Sequence, residues 1–275
     1  MGRHNDQTIA GTQGEQMPVA RLKDISISYA VEGHGEPLLM IMGFSAARAG
    51  WTAQIPFFKK HYQVVTFDNR GVGKSDKPPG PYSTRMMADD TVGLMDHLRI
   101  EKAHVMGVSM GGMIAQELAI NYPDRVSKLV LACTYACQDG ASGDTPEQAR
   151  LAKLPPHRLA GSMIGLALNR PIYRYTFGLI GMLQARFMNS TAKRGIAGQM
   201  EACRTHNTLE RLGRIAAPTL VIVGTADRII APVSSEIIAG KIPHAELVKM
   251  EGGSHSFPME MKNAFNPKVL EFLKK

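Results

Sequence analysis

A chain of 275 residues that is 44% hydrophobic and 20% charged can bury one large core, and its composition is that of an ordinary globular protein. No window offers the roughly 18 uninterrupted apolar residues that a membrane span requires. The formal charge of +8 comes without the basic runs and interleaved aromatics of a nucleic-acid-binding surface, so neither a membrane span nor nucleic-acid binding is expected.

Residues 1–17 are polar, lack the apolar stretch of a secretory signal and read as a flexible tail. Beyond them, 25–33 (ISISYAVEG) alternates as a strand and 37–43 (PLLMIMG) reads as a short buried strand ending at Gly43. Separated only by turn residues, these two are expected to add an antiparallel edge to a sheet. A short helix or turn at 53–60 precedes a strand at 62–68. Helical spacing then runs over 83–100 with Ser83 as N-cap. A strand at 102–108, a helix at 110–123 and a strand at 126–133 follow. Strands alternating with helices imply crossover connections and a mostly parallel sheet covered on both faces.

The rhythm breaks near residue 135. Residues 135–206 hold Met-, Arg- and Leu-rich helical stretches with no convincing strand, and read as a helical cap inserted between two halves of one sheet. The alternation then resumes with a helix at 207–215, a strand at 218–224, a helix at 232–242, a strand at 245–250 and a last helix at 266–275. The expected organisation is therefore a core of residues 18–134 and 207–275, a cap of residues 135–206, and the tail. Cys133, Cys137 and Cys203 make no even set and lack companions at metal-ligand spacing. Reduced thiols, a cytoplasmic setting and no metal or other cofactor are expected from that.

Chemistry enters at Ser109, in the pattern Gly107-Val108-Ser109-Met110-Gly111. With 27 Gly in the chain, a G-x-S-x-G match arises by accident about one time in eight, so the pattern alone decides little. Its setting adds more, because Ser109 falls between a predicted strand and a predicted helix. A sharp turn there needs small residues at positions minus two and plus two, and Gly107 and Gly111 supply them. The plainer alternative is that Ser109 is an N-cap on a crossover helix.

Partners tip the balance toward a nucleophile. A serine hydroxyl needs a base to take its proton, and the base needs an orienting acid. Asp227 lies just past the strand at 218–224 and His255 in a glycine-rich turn past the strand at 245–250. Groups beyond the carboxyl ends of parallel strands gather at one edge of such a sheet. The order Ser109, Asp227, His255 is the one expected for an acyl-transfer triad on this architecture. An oxyanion hole would take one backbone N–H from Met110 and a second from Phe44, in the loop that Gly43 turns. The GVGKS stretch at 71–75 ends like a phosphate-binding loop, but its first glycine would fall on Asp68, and the pattern fails. Gly71 and Gly73 are expected to serve a tight turn instead, with Asp68 and Arg70 holding it.

Together, GVSMGG at 107–112, FDNRGVGKSDKPPGPYS at 67–83, GTADRII at 224–230 and GGSHSF at 252–257 resemble the α/β-hydrolase superfamily over nearly the whole chain outside the tail and the cap. Within it, 68–83 and 109–119 are most similar to carboxylesterases and the 3-oxoadipate enol-lactonases, whose caps are helical inserts after the sixth strand. The resemblance implies an α/β fold with a mostly parallel, doubly wound sheet, with Ser109 as nucleophile, Asp227 as acid and His255 as base. Many relatives carry His-Gly before the oxyanion residue; here it is Met42-Gly43.

The cap carries nine Lys/Arg against four Asp/Glu. An arginine among Arg150, Arg158, Arg170, Arg174 and Arg186 could turn inward to meet a substrate carboxylate. Apolar residues around Met163, Leu166, Phe177, Leu179 and Met182 point instead to a hydrophobic acyl pocket. The expected activity is a cofactor-free serine hydrolase that cleaves a carboxylic ester or lactone through an acyl-enzyme. The same triad could instead serve carbon–carbon bond hydrolysis, acyl transfer or perhydrolysis, and a ligand receptor with a vestigial triad is the rival from another class.

Overall fold

The computed structural model describes residues 17–137 and 186–275, together with positions scattered between 153 and 183. The expected tail, apart from residue 17, and much of the expected cap lie outside the described residues.

Adjacent residues along each central strand divide between two cores. Leu39, Ile41, Val65, Leu129, Leu131 and Val221 face one cluster, while their neighbours Leu38, Met40, Val64, Val130, Leu220 and Ile222 face another. Side chains alternate across a strand with period two, so a strand apolar at every position must be covered on both faces. The strands are β1 (Val19–Arg21), β2 (Ser26–Glu32), β3 (Pro37–Ile41), β4 (Gln63–Phe67), β5 (Ala103–Val108), β6 (Val126–Ala132), β7 (Thr219–Gly224) and β8 (Glu246–Met250). They form one eight-stranded sheet in the order β1-β2-β4-β3-β5-β6-β7-β8. From β4 to β8 every pairing is parallel, and β1 and β2 are antiparallel additions.

The expected antiparallel edge is corrected in part. The strand at 26–32 does pair antiparallel, with β4, but β3 is not its partner; β3 lies between β4 and β5. The reason is burial. Leu38 to Ile41 are fully inaccessible, and a strand apolar on both faces belongs in the middle of the sheet. The outer edge is β1, which has only one buried residue and which periodicity did not reveal.

The helices are α1 (Ile55–Phe58), α2 (Thr84–His97), α3 (Met110–Asn121), α4 (Ser190–Arg204), α5 (Pro232–Lys241), α6 (Phe257–Glu260) and α7 (Lys262–Lys274). Ser83 caps α2, accepting a hydrogen bond from the Met86 amide at 3.1 Å. Met87, Leu94, Met113, Ile114, Leu118 and Ile238 bring α2, α3 and α5 onto one face of the sheet. Phe58, Phe265, Val269 and Phe272 bring α1 and α7 onto the other. Two expectations shift: 209–214 is a 3-10 turn rather than an α-helix, and the last helix begins at Lys262 and runs through Pro267. Between 138 and 206 the one continuous described element is α4, which Asn189 caps by accepting from the Ala192 amide at 2.8 Å. The chain leaves the sheet after Ala132, and Cys137, five residues on, forms an antiparallel bridge with Asn207. Among the described residues no helix is long and apolar enough to cross a membrane.

Candidate active site

Ser109 follows β5 and precedes α3 with φ 57° and ψ −123°, a conformation that L-residues rarely adopt and that costs about 1–3 kcal/mol. An N-cap residue has extended dihedrals and a side chain bonded to the first turn; Ser109 has neither, so the N-cap alternative fails. Its turn is held by backbone and side-chain bonds. The Ser109 amide donates to the Ala132 carbonyl at 2.9 Å, and the Ser109 carbonyl accepts from Thr134 Oγ1 at 2.9 Å. A Cβ on Gly107 would strike the Gly111 backbone, and a Cβ on Gly111 would strike the Ile41 carbonyl. Both glycines are therefore required by backbone proximity.

Asp227 lies past β7 with its carboxylate fully buried. Oδ1 accepts from the Ile229 and Ile230 amides at 2.8 and 3.0 Å. Oδ2 lies 2.7 Å from His255 Nδ1, so Nδ1–H is the donor in this pair. The loops after β7 and β8 are tied to each other, since the Ala226 amide donates to the Gly253 carbonyl at 2.9 Å. Ser109 and His255 line one cavity of about 330 Å³, together with Phe44, Trp51, Met163 and Ile229.

The Gly43–Phe44 loop runs along this cavity. Gly43 has no left-handed φ, and close approach is what calls for a glycine there. A Cβ there would lie 3.1 Å from Ser109 Cβ and 3.2 Å from the Val108 carbonyl. The glycine lets the loop pass directly against the serine, and the left-handed residue of this loop is Ser45, φ 59°. Met110 is the first residue of α3, where amides lack intrahelical acceptors. Asp68 holds the neighbouring turn through the Arg48 and Lys74 amides, each at 2.8 Å. Arg70, expected in the same role, instead pairs with Asp90 of α2 at 2.5 and 2.6 Å.

Cys133, which sequence reasoning left without a role, directly follows β6, the strand between β5 and β7, with φ 40°. Its sulfur lies within 4.8 Å of the Asp227 and His255 ligand atoms, a grouping that could in principle hold a metal. Both Asp227 oxygens already accept hydrogen bonds, and burial, reinforced by the Asp227 charge, pushes the thiol well above its ordinary pKa. The set suits a hydrogen-bonded acid–base pair better than a metal centre. Of the five cap arginines, Arg158 and Arg186 are exposed, and Arg150, Arg170 and Arg174 lie outside the described residues. Met163 lines the cavity as expected, Leu166 packs on the core, and Leu179 is 56% exposed instead of lining a pocket. Phe177 and Met182 lie outside the described residues.

The family described as alpha/beta hydrolase fold matches residues 36–158. A protein of Caulobacter segnis, named provisionally as a carbamate hydrolase, is 31% identical over 260 residues, covering 88% of this chain and 95% of that protein. The chain belongs to the α/β-hydrolase family. This hydrolase is also 29% identical over 274 residues to 3-oxoadipate enol-lactonase 2 of Acinetobacter baylyi, covering 94% and 99% of the two chains. A solved hydrolase from Pseudomonas aeruginosa superposes on the α/β hydrolase with a TM-score of 0.80 at 30% identity, over 95% of this chain and all of that one.

Proposed function

We propose that the protein is a serine hydrolase of carboxylic esters or lactones, with Ser109 as nucleophile, His255 as base and Asp227 as its orienting acid. The observation that carries this reading is the His255–Asp227 contact of 2.7 Å beside a serine whose strained backbone serves no capping role, all at one cavity. His255 Nε2 takes the Ser109 proton as Oγ attacks the substrate carbonyl. The developing oxyanion is met by the Met110 and Phe44 N–H groups. As the tetrahedral adduct collapses, His255 returns the proton to the departing alkoxide, leaving the acyl group on Ser109. Water, deprotonated by His255, then attacks the acyl-enzyme, and collapse of the second adduct releases the acid and restores Ser109.

In this reading residues 135–206 form a helical cap over the cavity. Two contacts support it: the Ser256 amide, next to the base, donates to the Ala167 carbonyl at 3.0 Å, and Met163 lines the cavity. Met42, Phe44, Trp51, Met163 and Ile229 line that cavity, and this apolar wall favours a neutral, largely apolar acyl group. Turnover of p-nitrophenyl butyrate and hexanoate, and of their ω-carboxylated analogues, by wild type and Ser109→Ala tests both parts. The neutral esters should be the better substrates. Ser109→Ala should fold, by circular dichroism, and lose activity by about 10³-fold or more. A fully active Ser109→Ala protein overturns the mechanism, and faster turnover of the carboxylated esters overturns the substrate class.

A further inference from the structure

We propose that Gln199, on α4, is a positioning residue for the oxyanion hole, an inference that rests on the serine-hydrolase reading above. Its side chain is completely buried and makes two bonds to two different loops of the sheet's catalytic edge. Oε1 accepts from the Ser45 amide at 2.9 Å, and Nε2 donates to the Arg70 carbonyl at 2.7 Å. Both partners are backbone groups, so the contact holds main chain instead of recognising a side chain.

The Ser45 amide belongs to the peptide unit directly after Phe44. The peptide unit before Gly43 is held from the other side, where Asn69 Nδ2 donates to the Met42 carbonyl at 2.9 Å. The intervening unit, which carries the Phe44 N–H, is thus bracketed by one held peptide on each side. Ser45 is left-handed (φ 59°), and a non-glycine residue keeps such a conformation only where its surroundings enforce it. An oxyanion donor works by being aimed before the charge develops, and a displacement of about 1 Å can cost about 10²-fold in rate.

The same helix is seated so that position 199 has little freedom. A Cβ on Gly195 would strike the Gly71 backbone, and a Cβ on Gly198 would strike the Tyr82 ring, 2.6 Å from Cδ2. Two glycines three residues apart therefore bring the α4 backbone against the core, and Gln199 beside them reaches the loops. Its amide also suits the task chemically, since one group must accept and the other donate.

The test compares Gln199→Met, Gln199→Glu and Asn189→Ala with wild type and Ser109→Ala, using p-nitrophenyl butyrate and an alkyl trifluoromethyl ketone that adds reversibly to the serine. Gln199→Met keeps the length and removes both bonds. It should lower kcat about 10²-fold, leave KM within about two-fold, and weaken trifluoromethyl ketone inhibition in parallel with kcat/KM. Asn189→Ala removes the cap of α4 without touching the loop, and should lower thermal stability with kcat unchanged. If Gln199→Met does not fold, Gln199→Glu carries the test. Protonated, that carboxyl can accept from Ser45 and donate to Arg70, so its kcat relative to wild type should rise as pH falls from 8 to 6; a flat ratio overturns the proposal. Unchanged kcat in a folded Gln199→Met protein, or equal kcat losses in Gln199→Met and Asn189→Ala, also overturns it. With Ser109→Ala inactive, those outcomes sink this inference alone; an active Ser109→Ala protein removes the nucleophile assignment and this inference with it.

Discussion

Asp227 shows how one residue's surroundings assign its work. Two backbone amides hold Oδ1 and the His255 ring meets Oδ2, so the carboxylate cannot rotate away from the imidazole. Asp227→Asn would keep an oxygen for one set of partners and present an amide N–H to the other. If the amide faces His255, Nδ1 must become the acceptor and Nε2 the protonated nitrogen, which cannot take the serine proton. The expected outcome is a fall in kcat of about 10⁴-fold with substrate affinity largely kept; steady-state kinetics on the butyrate ester checks it. At this scale the strand-end positions of Ser109, Asp227 and His255 were legible because hydrophobic runs reveal the strands that each residue follows. Cys133 and Gln199 were not, since a buried thiol beside a carboxylate and an amide bridging two loops leave no periodic mark.

The turn from β5 into α3 joins the backbone geometry of Ser109 to sheet packing. Gly111 lies on the first turn of α3, where its Cα faces the Ile41 carbonyl at the end of β3. Gly112 meets the Thr134 side chain, 2.7 Å from where its Cβ would stand. Gly111→Ala therefore forces β3 and α3 apart. It should destabilise by about 3 kcal/mol, read as a lower urea midpoint, and reduce activity in the fraction that folds. Element types were largely readable, since α2 has helical spacing, α3 runs up to the helix-ending Pro123 and β7 has an unbroken apolar run. The position of β3 was misread because adjacency in sequence suggested a hairpin, whereas burial on both faces drew the strand to the centre of the sheet.

For the whole molecule, His206 is a group whose protonation opposes folding. It is buried where the chain rejoins the core, with Nδ1 2.9 Å from Thr84 Oγ1 and Nε2 3.3 Å from Thr208 Oγ1. Burial, aided by the Arg211 charge, lowers its pKa from 6.5 to about 3. The unfolded chain then binds a proton between those values that the folded chain refuses. This contribution is complete above pH 6.5 and falls by about 1.4 kcal/mol per pH unit below it, until about pH 3. Urea unfolding at pH 8, 6, 5 and 4 should give a steeper loss for wild type than for His206→Asn. Equal slopes would show that His206 titrates normally in the folded protein.

The sequence by itself determined the alternation of strands and helices, the strand ends that carry serine, aspartate and histidine, and the glycines a tight elbow needs. Those features follow from local periodicity and steric demand, which every short segment carries within itself. Only the tertiary structure decided that β3 is central, that the Gly43 loop passes against Ser109, that the cavity wall is uncharged among its described residues, and that Gln199 joins α4 to the loop beside Phe44. Such contacts join residues up to 154 positions apart, and their energy depends on which faces the packed sheet and helices bring together.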